Sequence, residues 1–180
     1  NIPVIPHETV IYFQMLLSLL QPKRILEIGT AIGFSALVMA QEVPNAEIVT
    51  IDRNPEMIEL AKKNLDKYDH RNQIILKEGD AADILKELSG SFDVIFMDSA
   101  KSKYIEFLPI ALDLLSENGV ILMDDIFQGG EILTPIMEIK RNQRALERGL
   151  RKLFDEVLDN PKYLTSILPL GDGLLMIKKA

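Results

Sequence analysis

The stretch RILEIGTAIGFS, residues 24–35, decides the fold of this 180-residue chain. Its first five residues, Arg24–Ile28, form an apolar run that is typical of a buried strand. Gly29 and Gly33 then permit a tight turn, and a helical pattern begins at Phe34. A buried strand that passes through a glycine-containing turn into a helix is the first unit of a doubly wound, Rossmann-like α/β sheet.

The same alternation of apolar strands and helices continues to about residue 125. It predicts a mostly parallel sheet that helices cover on both faces. The predicted strands are Arg24–Ile28, Glu47–Asp52, Gln73–Lys77, Phe92–Met97 and Val120–Met123. The predicted helices are Val10–Leu20, Phe34–Glu42, Pro55–Tyr68, Ala81–Leu88 and Lys103–Ser116.

The pattern changes after Asp125. A long polar helical stretch is predicted from about Glu131 to Leu158. Two strand-like runs follow, Tyr163–Leu168 and Leu174–Lys178, and the turn-forming segment PLGDG joins them. This end of the chain therefore predicts a closing antiparallel hairpin. Since no linker or internal repeat interrupts the sequence, residues 1–180 are predicted to form a single domain.

Composition excludes several classes of function. The net charge of −7 argues against binding nucleic acid through the whole surface, although a local basic patch remains compatible with it. The chain has no cysteine, which excludes disulfides, thiolate metal sites and cysteine nucleophiles. Its longest apolar run, residues 10–20, is too short to cross a membrane. We therefore predict a cytoplasmic protein without a membrane partner.

The turn after the first strand has the features of a nucleoside site. Asp52 ends the second strand, where a carboxylate can accept hydrogen bonds from ribose hydroxyls. The glycine spacing is GxxxG rather than the GxGxxG of dinucleotide sites, and Glu27 would repel a pyrophosphate. Glu27 would instead favour the cationic methionyl part of S-adenosylmethionine. A nicotinamide-dependent reductase and an ordinary strand-to-helix turn remain alternatives. Asp80, after the third strand, could cap the next helix or bind the adenine amino group.

Three acidic residues follow the ends of two neighbouring predicted strands. Asp98 comes after FDVIFM, and Asp124 and Asp125 come after GVILM. Each alone is more often a loop cap or a solvated turn residue, but together they indicate a shared metal site beside the cofactor loop. Hard oxygen ligands suit Mg²⁺ better than Zn²⁺. Adjacent side chains diverge in a regular strand, so Asp124 and Asp125 can converge only if the strand has ended before them.

Six motifs occur in a fixed order over nearly the whole chain: EIGTAIGFS, TIDRNP, EGDA, FMDSAK, MDD and LPLGDG. In this order they resemble the cation-dependent O-methyltransferases, the family of the catechol and caffeoyl-CoA enzymes. Within that family, the chain is most similar to the bacterial branch that methylates 5-hydroxyuridine in tRNA. The resemblance implies a seven-stranded methyltransferase sheet with an antiparallel last strand, S-adenosylmethionine and a divalent cation such as Mg²⁺ as cofactors, and a homodimer.

The resemblance also implies roles for individual residues. Asp98, Asp124 and Asp125 would be the metal ligands, and Lys101 would be the catalytic lysine beside Asp98. The residues implied to bind S-adenosylmethionine are Ile5 (through its backbone), Glu27, Gly29, Gly33, Ser35, Asp52, Asp80, Ala81 and Asp98.

Three departures from the family pattern stand out. Asp125 replaces the asparagine of the animal catechol enzymes, and a third carboxylate should hold a cation more tightly. Ala31 stands where those enzymes carry an aromatic residue near the cofactor. The N-terminal helices common in the family are also missing, and we expect an N-terminal truncation.

A basic segment bears on the substrate. Residues 140–152, KRNQRALERGLRK, carry six cationic side chains and one acid, Glu147. In a helix, Arg141, Arg144, Arg148 and Arg151 would share a face, which favours tRNA as the partner. A solvated or dimer-facing helix explains the segment nearly as well. The alternatives therefore remain a small catechol-like phenol as substrate, or a non-catalytic sensor of an adenosine ligand.

Overall fold

The structure, a computed structural model, describes residues 4–180 and is built around a seven-stranded sheet. The strand order is β3-β2-β1-β4-β5-β7-β6. The strands are β1 (Arg24–Ile28), β2 (Glu47–Asp52), β3 (Ile74–Glu78), β4 (Phe92–Met97), β5 (Leu115–Met123), β6 (Tyr163–Leu168) and β7 (Leu174–Lys179). The helices are α1 (His7–Leu20), α2 (Phe34–Glu42), α3 (Pro55–Tyr68), α4 (Ala81–Glu87), α5 (Tyr104–Leu114) and α6 (Arg144–Val157).

The first five strands are parallel, and the last two close the sheet as an antiparallel hairpin. β7 pairs antiparallel to β5, and β6 lies at the edge. This confirms the predicted doubly wound methyltransferase sheet. The strand order reverses between β1 and β4, and such a switch point opens a crevice at the carboxyl ends of the strands.

Both faces of the central strands β1, β2 and β4 are buried, which explains their continuous apolar runs. In β4, Val94 and Phe96 point into a core formed with α1 and α2, where Phe13 meets Phe96 edge to face at 4.7 Å between ring centroids. Ile95 and Met97 point into the opposite core, formed with α4, α5 and α6. The central strands thus have little freedom to slip, because a one-residue shift would move every side chain to the other face.

The helix predicted over Lys103–Ser116 ends earlier than expected, at Leu114. Leu115 already pairs with Phe92, so β5 begins there rather than at Val120. The Ser116 hydroxyl donates to Asp93 across this pair of strands at 2.9 Å. The helical pattern was therefore extended wrongly into a strand whose outer end is polar.

The long helix predicted over Glu131–Leu158 is also wrong in its first half. A short 3₁₀ segment covers Gln128–Leu133, and the only α-helix of this stretch is α6. Thr134 is extended because it precedes Pro135, whose ring disfavours the helical conformation of the residue before it. Within residues 4–180 no helix is long and apolar enough to cross a membrane.

Candidate active site

A cleft of about 730 Å³ lies at the carboxyl edge of the sheet. It gathers residues from the turns after β1, β2, β3 and β4, as the switch point predicts. Among the residues predicted for the cofactor, the cleft is lined by Gly29, Asp52, Asp80, Ala81 and Asp98. Arg53, Ser99 and Phe107 also line it, and sequence reasoning did not single them out.

Gly29 permits a close approach of two turns. Its φ is 110°, and a Cβ at this position would lie 2.0 Å from the carbonyl oxygen of Asp98. No other residue type fits there, because the obstacle is backbone. Gly33, with φ of 81°, opens α2 instead and packs against Leu65. Gly29 therefore lies in the cleft, whereas Gly33 shapes the helix behind it.

Glu27 is fully buried behind the turn rather than among the residues that line the cleft. The hydroxyls of Ser35 and Thr50 each donate to one of its carboxylate oxygens, and Thr30 lies 2.6 Å from Thr50, oxygen to oxygen. Burial raises the pKa of Glu27 to about 7, against these two hydrogen bonds, which lower it. Thr50 was missed, although its place two residues before Asp52 put it on the same face of β2.

Asp52 and Asp80 are held at the mouth of the cleft. Asp52 accepts hydrogen bonds from the backbone N–H of Ala31 at 2.8 Å and of Asn54 at 2.9 Å. Asp80 caps α4 by accepting from the Ala82 N–H at 2.9 Å, and its second oxygen pairs with Arg53 at 2.9 Å. Asp80 is therefore a helix cap, one of its two predicted roles. The other role, a contact with adenine, stays a prediction.

Lys101 joins two of the predicted metal ligands. It lies in a 3₁₀ turn, Lys101–Lys103, which we call the lysine turn. Its Nζ is 2.6 Å from Asp98 Oδ1 and 3.1 Å from Asp125 Oδ2. The structure therefore brings Asp98, after β4, and Asp125, after β5, together around the Lys101 ammonium, and their role as metal ligands stays a prediction.

Asp124 completes the acidic cluster. β5 ends at Met123, and Asp125 adopts the left-handed conformation with φ of 55°. This break in the strand satisfies the condition under which two adjacent aspartates can converge. Asp124 is 2% exposed. Burial, with the charges of Asp125 and Asp98, raises its pKa to about 7.

The donor chemistry of the cluster fits a hard divalent cation. As arranged, however, residues 4–180 contain no group of three acidic or histidine side chains that could hold a metal ion. The Lys101 ammonium lies between Asp98 and Asp125, and Asp124 Oδ1 instead accepts the Asp125 N–H at 2.9 Å. The carboxylates could hold a metal together only if Lys101 withdrew from them.

The surroundings of Lys101 differ from the expectation for a general base. Burial lowers the pKa of Lys101, but the charges and hydrogen bonds of Asp98 and Asp125 together raise it above its usual value. In this arrangement Lys101 is an ammonium ion. It could accept a proton only after these contacts loosen.

Tyr104, at the start of α5, holds the two acidic strand ends together. Its side chain is fully buried, and its hydroxyl donates to the carbonyl of Met97 at 2.8 Å. The same hydroxyl lies 3.2 Å from the carbonyl of Asp124. Sequence reasoning missed this residue because a tyrosine at a helix start has no signal that distinguishes it from an ordinary core side chain.

The remaining predicted residues lie away from the cleft. Ile5 is buried in the core with α1 and α2, and its backbone contact with the cofactor stays a prediction. Arg144 donates to the carbonyls of Met137 and Ile139, and Arg151 donates to those of Ile132 and Thr134. The predicted four-arginine face is therefore wrong. Arg141 precedes α6, and two of the arginines hold the preceding loop.

The fold and the cleft define an enzyme class that binds a nucleoside cofactor at the carboxyl edge of a Rossmann-like sheet. The sequence pattern of the O-methyltransferase family matches residues 1–180. A catechol O-methyltransferase from Niastella koreensis is 35% identical over 127 residues, covering 68% of this chain and 58% of the relative. The O-methyltransferase ankF of Aspergillus thermomutatus is 33% identical over 168 residues, covering 87% of this chain and 70% of the relative.

The solved structures agree. The structure of the methyltransferase PaMTH1 of Podospora anserina, with S-adenosylhomocysteine bound, matches with a TM-score of 0.85 and 32% identity. The match covers 96% of this chain and 78% of that one. The chain belongs to the O-methyltransferase family and is an S-adenosylmethionine-dependent O-methyltransferase. This confirms the resemblance to the catechol and caffeoyl-CoA enzymes, whereas the closer similarity to the tRNA branch stays a prediction.

Proposed function

We propose that the enzyme methylates the O5 hydroxyl of 5-hydroxyuridine in tRNA, with Mg²⁺ as its cation. The observation that carries the choice of tRNA is the position of α6. This helix packs against the lysine turn, with Gly149 directly on the backbone of Ser102. Lys140, Arg141, Arg148 and Lys152 remain exposed on and before α6. Arg148 and Lys152 therefore lie on the helix that borders the lysine turn, and Lys140 and Arg141 lie in the loop before it, where phosphates of a large substrate would need them.

The proposed transfer balances as a displacement at the methyl carbon. The substrate oxygen forms a bond to the methyl group, the carbon–sulfur bond breaks, and S-adenosylhomocysteine leaves. We assign the ribose contact to Asp52 and the adenine side to Asp80 and Ala81, which share the cleft. We assign the buried support of the methionyl side to Glu27 with Ser35.

The acidic cluster would hold the cation. Asp98, Asp124 and Asp125 supply the carboxylates, and a bound divalent cation lowers the pKa of a hydroxyl whose neighbouring oxygen also chelates it. 5-Hydroxyuridine has such a pair in its O5 hydroxyl and O4 carbonyl. Lys101 is the proposed acceptor of the hydroxyl proton, once a bound cation has displaced its ammonium group from Asp98 and Asp125 and it has released its own proton to solvent.

A small catechol-like phenol is the second candidate substrate, because a relative at 35% identity is named catechol O-methyltransferase. The vicinal oxygens of a catechol would satisfy the same acidic cluster. Fewer cations are also available to bind RNA than the sequence suggests, because Arg144 and Arg151 donate to backbone carbonyls. A homodimer and a cytoplasmic location stay predictions.

The deciding experiment measures transfer of labelled methyl from S-adenosylmethionine to tRNA from cells that lack this gene. We expect labelling with Mg²⁺ and its loss with chelator. Labelling that resists chelator would contradict the metal assignment. If tRNA stays unlabelled and 3,4-dihydroxybenzoate is methylated under the same conditions, the substrate is a small phenol and not tRNA.

A further inference from the structure

The turn between β6 and β7, residues 171–173, binds the segment that follows the acidic strand end of β5. We call this turn the GDG turn. The backbone N–H of Ile126 donates to the Gly173 carbonyl at 3.1 Å, and that of Phe127 donates to the Asp172 carbonyl at 2.8 Å. Both carboxylate oxygens of Asp172 lie 2.9 Å from the N–H of Gly129. The proposed mechanism uses none of these residues.

The segment that donates these hydrogen bonds, residues 124–130, has a strained backbone that contacts with the GDG turn can stabilise. Asp125, Gln128, Gly129 and Gly130 all have positive φ, at 55°, 51°, 62° and 89°. The left-handed conformation is unfavourable for a non-glycine residue, because its Cβ crowds the following carbonyl oxygen. Few local hydrogen bonds offset this cost at the start of the segment. Asp125 donates to the Asp124 side chain, and the Gln128 amide donates to the Asp125 carbonyl at 2.6 Å.

The packing of the GDG turn agrees with a supporting role. A Cβ on Gly173 would lie 2.6 Å from the Phe127 ring, so the ring rests directly on the turn. On the other side, a Cβ on Gly171 would lie 2.8 Å from Pro6. The turn is thus wedged between the N-terminal segment and the segment that carries Asp125.

We infer that Asp172 is a positioning residue for the acidic cluster. Its carboxylate holds Gly129, and through the short segment between them it keeps Asp125 turned toward Asp98 and Lys101. The inference rests on the proposed function, in which Asp125 is a ligand of the cation. It also gives the LPLGDG motif a role, which the nucleoside site left unexplained.

The test compares Asp172→Ala and the isosteric Asp172→Asn with the control Asp155→Asn, which removes an exposed carboxylate on α6. Calorimetry measures the affinities for Mg²⁺ and S-adenosylmethionine, and hydrogen exchange follows the Gly129 amide. We expect Asp172→Ala to speed this exchange and to weaken Mg²⁺ binding by about tenfold, as loss of an outer-shell partner does. Affinity for S-adenosylmethionine should stay within about twofold, since its cleft is formed by other turns. Asp172→Asn, which keeps one acceptor, should fall between.

The inference is overturned by unchanged exchange at Gly129 in Asp172→Ala, or by faster exchange with wild-type affinity for Mg²⁺. Equal loss of both affinities would also overturn it, because that marks general destabilisation. Should the alanine variant fail to fold, the asparagine variant carries the same comparison. If the wild-type enzyme itself does not bind Mg²⁺, the metal assignment of the proposed function fails, while exchange at Gly129 still shows whether Asp172 holds the segment.

Discussion

At the scale of single residues, Glu27 is the least expected feature of the site. An acid at a strand end should face a cationic cofactor, yet this one is fully buried, with Ser35 and Thr50 as its donors. A carboxylate without a countercharge in such a place is costly to ionise. Its pKa of about 7 expresses that cost.

The raised pKa of Glu27 predicts a pH-dependent stability. Below the usual pKa of 4.5, Glu27 is protonated in both the folded and unfolded states and costs nothing. As pH rises from there to about 7, only the unfolded state loses the proton, so the folded state becomes less stable. The full effect is about 3 kcal/mol, and it levels off above pH 7.

We expect Glu27→Gln to remove this part of the pH dependence. The measurement is the free energy of unfolding, from denaturant titrations between pH 4.5 and 8, for the wild-type protein and the variant. Glu117→Gln, at an exposed position, is the matched control and should parallel the wild type. A Glu27→Gln curve parallel to the wild-type curve would show that Glu27 has the same pKa in the folded and unfolded states.

At the scale of elements, the contact between α6 and the lysine turn controls where Lys101 lies. A Cβ on Gly149 would come within 2.8 Å of the Ser102 carbonyl oxygen and 3.0 Å of its Cα. Both are backbone atoms, so the turn itself would have to move. Gly149 therefore permits the close contact between α6 and the turn, although glycine inside a helix is less stable than alanine by about 1 kcal/mol.

We predict that Gly149→Ala shifts the lysine turn and slows methyl transfer by about tenfold or more, since small misplacements of a reacting group are expensive. The expected signature is a loss of kcat larger than any loss of affinity for S-adenosylmethionine, whose cleft Ser102 and Lys103 of the turn also line, measured by steady-state kinetics and calorimetry. Asp155→Ala, an exposed change on the same helix, is the control and should keep the wild-type rate. A wild-type kcat in Gly149→Ala would mean that the turn can relax without moving Lys101.

At the scale of the whole molecule, the distribution of charge bears on the substrate. The chain carries a net charge of −7, so attraction to RNA must come from a local surface. Arg144 and Arg151 stabilise the loop before and beside α6, and reversing them would damage the fold. Arg148 and Lys152 are exposed and one helical turn apart, so they are the suitable pair to change.

We predict that the double change Arg148→Glu and Lys152→Glu weakens tRNA binding by about tenfold and lowers its salt dependence, because each lost phosphate contact removes about one unit of slope. Turnover of 3,4-dihydroxybenzoate should stay unchanged if that phenol is accepted. Arg71→Glu with Lys162→Glu, two exposed cations elsewhere, gives the same change in net charge as a control. If both double changes weaken tRNA binding equally, binding depends on net charge and not on Arg148 and Lys152 in particular.

The sheet was predictable because its signal is local and repeated. Each strand from β1 to β4 contains an apolar run next to a helical pattern, and the closing hairpin has its own turn residues. The predicted helix ends were wrong where a helical pattern in the sequence continues past a boundary that strand pairing or a proline sets. Leu115 belongs to β5 because it pairs with Phe92, and the helix predicted from Glu131 does not continue through Pro135.

The sequence by itself determined the α/β class, the nucleoside cleft and the acidic strand ends, because residue type and spacing carry these along the chain. Only the tertiary structure decided how the side chains are used. It buried Glu27, paired Lys101 with two carboxylates, and assigned Arg144 and Arg151 to backbone carbonyls. It also brought Asp172 to Gly129, 43 residues away in the chain. Such partners are distant in sequence, and their proximity follows from the packing of strands and helices rather than from a local pattern.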